Sequence, residues 1–288
     1  MVNRTCGKLE FAAIRPVCYA DHIVSWKVVR MKTRHRGHRM RVPARRRLSC
    51  DLLWFNRSVP LCGHDRVIQL RELAQARSGL SCRISWPALF IRAFGLVARQ
   101  YPELRQTWYR WPVSHLYQHP VNVAAVTVHR NWNDGRWLFW GRIREPESLT
   151  LSEIQRQLDR FRDGLVPVTF RLQIQLARLP ILLRRLIWWW NLNVSTSGRA
   201  KRFGTFFLST LAGRGVEIQI PPSIHTGCLT YGPLNKDGES RVTLAYDHRV
   251  MDGVCVAEVL ELLDTVLREQ MPAELQQSAA VAAADQAA

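Results

Sequence analysis

The segment Ala245-Tyr246-Asp247-His248-Arg249-Val250-Met251-Asp252-Gly253 lies between two periodicities. Before it, Val242, Leu244 and Tyr246 alternate as on one face of a strand over Arg241 to Asp247. After it, Val256, Leu260, Leu263 and Leu267 recur at helical spacing. The turn between them holds an imidazole, a carboxylate four residues on, and a glycine that lets the backbone bend tightly. Histidine is the side chain best suited to accept a proton near neutral pH, and a thiol or hydroxyl nucleophile needs such a base within hydrogen-bond reach. His248 is therefore a candidate general base. The same residues also have an architectural reading, with Asp252 as helix N-cap, Gly253 beside it and His248 as an ordinary polar residue.

Working outward, Phe203 to Leu211 reads as a second strand. Val121 to His129 is rich in β-branched residues, and Asn133-Asp134-Gly135 supplies a turn before the aromatic run Trp137 to Ile143, which together predict a hairpin. Thr150 and Glu153 have capping-box spacing ahead of the face Leu151, Ile154, Leu158 and Phe161, which ends at Gly164. Phe90, Phe94, Val97 and Tyr101 form a helical stripe stopped by Pro102, and Val67, Leu70 and Leu73 recur at three-residue spacing, which predicts another helix. Mixed elements with a hairpin predict an α/β fold with a mixed sheet. Leu172 to Asn193 is apolar, ends in tryptophans and carries Arg178, Arg184 and Arg185, so helix is expected except around Pro180. It reads either as an interfacial element over lipid or a greasy substrate, or as a core or oligomer-interface helix with snorkelling arginines.

The 288 residues carry a formal charge of +18, and residues 1–49 hold thirteen Lys/Arg against two acids, an excess of eleven. That composition predicts a solvated basic arm over 1–49, followed by a folded domain over 50–271 and an Ala-rich tail over 272–288. The arm suits an anionic membrane surface. Nucleic acid is disfavoured because no base-reading motif accompanies the charge. Seven scattered cysteines without a CxxC pair argue against a disulfide framework and a structural zinc, and His115, His119 and His129 lack a carboxylate or cysteine beside them, so no metal is expected. No GxGxxG or Walker pattern occurs, which disfavours a nucleotide-dependent enzyme. With no secretory h-region and no run of about 18 apolar residues, a cytoplasmic, at most peripherally membrane-bound protein is expected.

Several ordered blocks also resemble one family. Tyr246 to Gly253 resembles a DHRxxDG signature, and Gly204-Thr205-Phe206-Phe207-Leu208-Ser209-Thr210-Leu211, then Gly215-Val216 and Pro221-Pro222, resemble a GTFTISNLG, GV, INPPQ run in the same order. Ser148 to Gly164 resembles a SLAEI helix, and Pro87 to Leu104 a helix ending in VPEL. These are marks of the acyltransferase (E2) catalytic domains of the 2-oxo acid dehydrogenase complexes, relatives of chloramphenicol acetyltransferase, and the likeness covers roughly residues 50–270.

The resemblance implies a chloramphenicol acetyltransferase-like two-layer sandwich with a mixed, largely antiparallel sheet, assembled as a homotrimer. It implies that His248 deprotonates an acceptor thiol, hydroxyl or amine, that the nucleophile attacks a thioester carbonyl, that Ser209 donates to the oxyanion and that Asp252 holds the loop. In the family, the histidine and serine of adjacent subunits meet. Thr210, Arg249, Gly253 and His225 are candidate substrate-binding residues. Acyl-CoA or a carrier-bound thioester is then a co-substrate, with no cofactor bound. The sequence departs from the pattern at Thr210, where the family has Asn, and at Ile220-Pro221-Pro222-Ser223. The first 49 residues are too few and too basic for a lipoyl domain, so no lipoyl attachment and a stand-alone enzyme are expected. The greasy segment 172–193 hints at a lipidic acyl chain or acceptor. The alternative is a catalytically silent trimeric scaffold that binds membrane or partner proteins through the arm and that segment.

Overall fold

The computed structural model describes residues 37–80, 83–133 and 135–277. The chain divides into two units, Met1–Arg41 and Val42–Ala288. Most of the expected basic arm and of the Ala-rich tail lies outside the described residues. In the larger unit the elements run α1 (Ala44–Asn56), β1 (Leu61–Gln69), α2 (Arg71–Ser78), α3 (Trp86–Gln100), β2 (Gln106–Tyr109), β3 (His115–Gln118), β4 (Val123–Trp132) and β5 (Gly135–Arg144). They continue with α4 (Leu151–Asp163), α5 (Val166–Thr169), α6 (Arg171–Arg178), α7 (Ile181–Asn193), α8 (Thr196–Phe203), β6 (Phe206–Leu208), β7 (Gly227–Tyr231), β8 (Glu239–Asp247) and α9 (Gly253–Thr265).

Six strands form one sheet in the order β1-β8-β7-β6-β4-β5, with β6 parallel to both of its neighbours and the other pairs antiparallel. This is the mixed, largely antiparallel sheet expected. On one face Phe206, Leu208, Leu229, Tyr231, Leu244 and Tyr246 join α3, α4 and α9 in the main core. Phe90 stacks on Tyr231 with centroids 4.0 Å apart, and Phe94 meets Phe206 edge-on at 4.9 Å. On the other face the sheet is lined by small side chains around Phe207: Ala125, Cys228 and Ala245. Gly204 delivers the chain into β6 with φ +97°, and a Cβ there would lie 2.8 Å from the Val123 carbonyl oxygen.

The hairpin and the capped helix form as read. Thr150 Oγ1 accepts from Glu153 N, and the Glu153 carboxylate accepts from Thr150 N. Two expectations fail. Val67 is not on a helix: β1 pairs with β8 over nine residues, from Leu61↔Asp247 to Gln69↔Glu239, and the helix starts only at Arg71. The ladder overrides the three-residue spacing, because Ile68 is buried as a strand residue while Leu70 and Leu73 fall at the start of α2. The strand expected over Phe203–Leu211 shrinks to Phe206–Leu208, since Phe203 belongs to α8. Leu48 is buried in α1, Arg47 donates to Ala177 O at 3.1 Å, and Met271 and Leu275 are fully buried in the main core.

Segment 172–193 is helical with a break at Leu179-Pro180, as expected. With α1 it wraps the edge strand β5. The Gln173 amide accepts from Trp140 N at 3.1 Å and donates to Trp140 O at 2.8 Å, which satisfies an exposed stretch of sheet edge. Arg184 does not snorkel. It is buried in an ion pair with the fully buried Asp51, and Arg185 lies 3.6 Å from the same carboxylate. The opposite side of α7 exposes Leu182, Leu183, Leu186 and Trp190.

Candidate functional site

The turn after β8 is braced from three sides. Asp247 N donates to Thr226 O and His248 N donates to Pro60 O, so the residues leading into the two flanking strands, β7 and β1, hold it. Asp247, itself buried, accepts from Arg249 Nε at 2.8 Å, Arg249 Nη2 at 2.6 Å and Arg249 N at 3.1 Å. The Arg249 guanidinium then reaches Ser58 O at 3.1 Å and lies over the Trp108 ring at 4.3 Å. Asp252 N-caps α9, its Oδ1 accepting from Cys255 N at 2.9 Å. Its architectural reading is therefore real, whatever else it does. Gly253 sits under His64, where a Cβ would come 3.5 Å from the ring.

His248 stands exposed at the crest of this loop. Its ring faces Tyr246 at 5.6 Å, and Tyr246 stacks on His64 at 5.4 Å. No described side chain hydrogen-bonds its imidazole. Asp247 and Tyr246 were not singled out as site residues. The bidentate brace was hidden because the DHR triplet does not say which of its charges pair.

Ser209 follows β6, with its N–H donating to Leu229 O at 3.1 Å. It is buried, and its hydroxyl has no partner among the described residues. Thr210, by contrast, is committed within the fold, donating to Tyr231 O at 2.9 Å and accepting from Ala212 N at 3.0 Å. Its candidate role as a substrate contact loses that donor.

Sheet register fixes where the two candidate residues stand. Leu208 pairs with Leu229, and Leu229 with Leu244, so Ser209 falls level with Thr230 and Thr243. His248, in the turn just past the end of β8, is five residues beyond Thr243, about 17 Å if the strand's ~3.3 Å per residue is carried one residue on. Within one chain the structure does not bring Ser209 and His248 together.

His225 is likewise not on the His248 loop. It is buried, its Nε2 meets Phe203 O at 2.8 Å, its Nδ1 meets Ser223 Oγ at 3.1 Å, and it stacks on Phe207 at 5.2 Å. Burial pushes its pKa down to about 4, so it is a neutral ring. It lines an apolar cavity of about 270 Å³ under α6 and α7.

Beside Arg249 opens a second cleft, of about 570 Å³, lined by Arg57, Arg110, Arg199 and Arg249 with Trp54, Trp108 and Trp189. Arg57 lies over Trp54 at 4.0 Å. Arg199 is buried, donates to Leu192 O at 2.9 Å and Ile224 O at 2.7 Å, and is pushed down to about 10 by burial. Among the described residues no carboxylate forms an ion pair with Arg57, Arg110 or Arg199. Sequence reading missed this cleft, because its arginines come from four separate segments. No group of three or more His, Cys, Asp or Glu among the described residues is placed to hold a metal ion. No helix among them is long and apolar enough to cross a membrane. The described Cys50, Cys62, Cys228 and Cys255 are free thiols.

Comparison with solved structures matches this architecture to one fold. A probable dihydrolipoamide acetyltransferase from Listeria monocytogenes superposes with TM-score 0.60 at 12% identity, over 81% of this chain and 95% of that one. The truncated catalytic core of the 2-oxoacid dehydrogenase multienzyme complex from Thermoplasma acidophilum gives 0.59 at 15% identity, over 81% and 99%. The fold is that of the E2 catalytic domain. The dihydrolipoamide acetyltransferase of Azotobacter vinelandii, a structure concerned with the roles of a serine, a histidine and an asparagine in catalysis, gives 0.57 at 17% identity, over 83% and 95%. No protein-family model and no curated protein sequence matches the chain.

Proposed function

We propose that this chain is an acyltransferase that moves an acyl group from a thioester donor to a thiol, hydroxyl or amine acceptor. His248 is the general base, Ser209 the oxyanion donor and Asp252 the residue that fixes the loop. The observation that carries this reading is the pairing of an exposed imidazole on a rigid loop with a buried serine hydroxyl that has no described partner, both on the E2 fold. Because the two stand about 17 Å apart along the sheet, the reading requires a second copy. The site forms between subunits of a homotrimer, where His248 of one protomer meets Ser209 of the next.

In the reaction His248 accepts the acceptor's proton as the nucleophile attacks the thioester carbonyl. The carbonyl π electrons move onto oxygen, and Ser209 Oγ–H donates to the oxyanion. Collapse of the tetrahedral species breaks the carbon–sulfur bond, and the leaving thiolate takes the proton back from His248. The nucleophile belongs to the acceptor, so no covalent acyl-enzyme forms. The arginine cleft beside Arg249 supports a donor that carries phosphate, as acyl-CoA and phosphopantetheine thioesters both do.

The test is thiol release from acyl-CoAs by the wild type and His248→Ala. Turnover lost in the variant supports the reading, and equal negligible rates with every donor refute it. A second reading, membrane or partner binding without catalysis, rests on the exposed Leu182, Leu183, Leu186 and Trp190 of α7. It wins if thioester turnover is absent and liposome binding is tight and salt-sensitive.

A further inference from the structure

Helix α7 carries its polarity inside out. At ~100° per residue, Leu182, Leu183, Leu186, Trp189 and Trp190 fall within an arc of about 120°, and all five are exposed, Leu182 at 81%. The opposite side buries Arg184, Trp188, Asn191 and Leu192. A surface helix ordinarily does the reverse, with its apolar stripe on the core and its charges in solvent. The orientation is fixed from beneath. Arg184 is ion-paired with the fully buried Asp51 of α1 and donates to Leu179 O at 3.0 Å, while Trp188 stacks on Phe55 at 5.8 Å and meets Phe203 at 4.8 Å. Rolling α7 to hide its leucines would leave the Asp51 carboxylate buried and unpaired. Val168 of α5 and Leu172 of α6 are exposed as well. Clustered apolar exposure of this kind marks a place where something else binds.

The charges of the same segment say what binds. Gly164 to Val216 contains no Asp or Glu and eight Lys or Arg, of which Arg171, Arg178, Lys201 and Arg202 are exposed. Arg185 lies over the half-exposed Trp54 ring of α1 at 4.0 Å, beside the leucine face. An isologous contact with a second copy would set this acid-free segment against itself, like charge against like. An anionic bilayer instead offers hydrocarbon to the leucines, an interface to the tryptophans and phosphate to the arginines. With 13 residues, α7 is about 20 Å long, too short to cross the ~30 Å hydrocarbon layer and suited to lying in the interface plane.

We infer that the outer face of α7 seats the protein on an anionic phospholipid bilayer, with Leu182, Leu183, Leu186, Trp189 and Trp190 entering the headgroup–acyl boundary and the arginines of the segment at headgroup level. This commits the surface of the second reading above to one occupant. It rests on that reading's exposed side chains and not on its loss of catalysis, so it holds for an active enzyme and for a silent one.

The experiment measures vesicle binding and turnover separately, on the full chain. Flotation is run with vesicles of phosphatidylcholine alone and of phosphatidylcholine and phosphatidylglycerol in equal parts. The wild type should float with the mixed vesicles and stay behind with phosphatidylcholine. Leu182→Ser with Leu186→Ser should weaken that partition by about tenfold or more, the effect of two leucines inserting to half their full burial. Both side chains face solvent, so the variant should keep its unfolding midpoint and its assembly mass. Brominated lipid in the mixed vesicles should quench wild-type tryptophan fluorescence, and Trp189→Phe with Trp190→Phe should lose most of that quenching. Several outcomes overturn the inference: no flotation of the wild type, equal flotation with both vesicle types, or flotation untouched by the leucine variant, which would assign binding to the basic residues 1–49 alone. An assembly that shrinks in the leucine variant would show that a second copy covers the face, and overturns it too. Flotation as expected with no turnover of any acyl-CoA leaves the docking face standing and sinks the acyltransferase reading. Turnover without flotation does the opposite.

Discussion

Asp247→Ala removes the brace beneath His248. Asp247 accepts two guanidinium bonds from Arg249 and one from the Arg249 backbone N–H, and the two side chains are 6% and 26% exposed. This pair lies between the surface limit, where an ion pair is worth ~0–1 kcal/mol, and the buried limit, where removing one partner costs ~3–5 kcal/mol. Arg249 keeps the Trp108 face and the Ser58 carbonyl. The expected loss is therefore about 2 kcal/mol, or roughly 4–8 °C in the unfolding midpoint of a domain this size. The larger effect falls on chemistry, because a misplacement of about 1 Å costs on the order of a hundredfold in rate. Thermal unfolding followed by circular dichroism, and acyl-CoA turnover assayed well below the variant's midpoint, separate the two effects. A folded Asp247→Ala protein with unchanged kcat/KM would refute the claim that this ion pair positions His248.

Other expectations follow from the same geometry. Ser209→Ala should lower kcat by about a hundredfold, since one preorganised oxyanion donor is worth on the order of 3 kcal/mol, with little change in midpoint. His225 and His119 are both held to about 4 by burial, below the unfolded value near 6.5, so the unfolded chain binds protons first as the pH falls. Stability should hold above pH ~6.5 and drop between ~6.5 and ~4, and His225→Gln should flatten part of that decline in urea titrations at stepped pH. Arg57→Ser with Arg110→Ser should raise KM for acyl-CoA about tenfold while sparing acyl-pantetheine, which lacks the phosphates; equal effects on both donors would count against the cleft. Gly204→Ala forces a side chain into a positive φ and a 2.8 Å approach to the Val123 oxygen, so a loss of at least ~2 kcal/mol is expected in denaturant titration.

What the sequence made legible was local. Thr150 and Glu153, Asn133 to Gly135, and the stripe from Phe90 to Tyr101 each carry their signal within a few residues, and each forms the element read from it. The β8–turn–α9 passage was equally plain, because a period of two changes to helical spacing across Asp252. The failures are non-local. Val67 was assigned to a helix because its ladder partner, Arg241, is far away in sequence. Arg184 looked like a snorkelling residue because Asp51 lies on another helix. The apolar cavity and the arginine cleft are assembled from α1, β2 and the Arg110 that follows it, α7 and the 222–225 loop, and no window of sequence contains them. At the site itself, residue types were readable, whereas the separation of Ser209 from His248 within one chain needed the strand register.

That separation supplies the most direct test of the account. The His248→Ala protein, without turnover, and the Ser209→Ala protein, at about a hundredth of it, are mixed in equal amounts, unfolded together and refolded so that subunits exchange. If each site takes His248 from one protomer and Ser209 from its neighbour, random assembly rebuilds an intact pair at about one site in four, and about a quarter of wild-type acyl transfer should return. Mixed oligomers, verified by mass, that regain no activity would contradict a site shared between subunits.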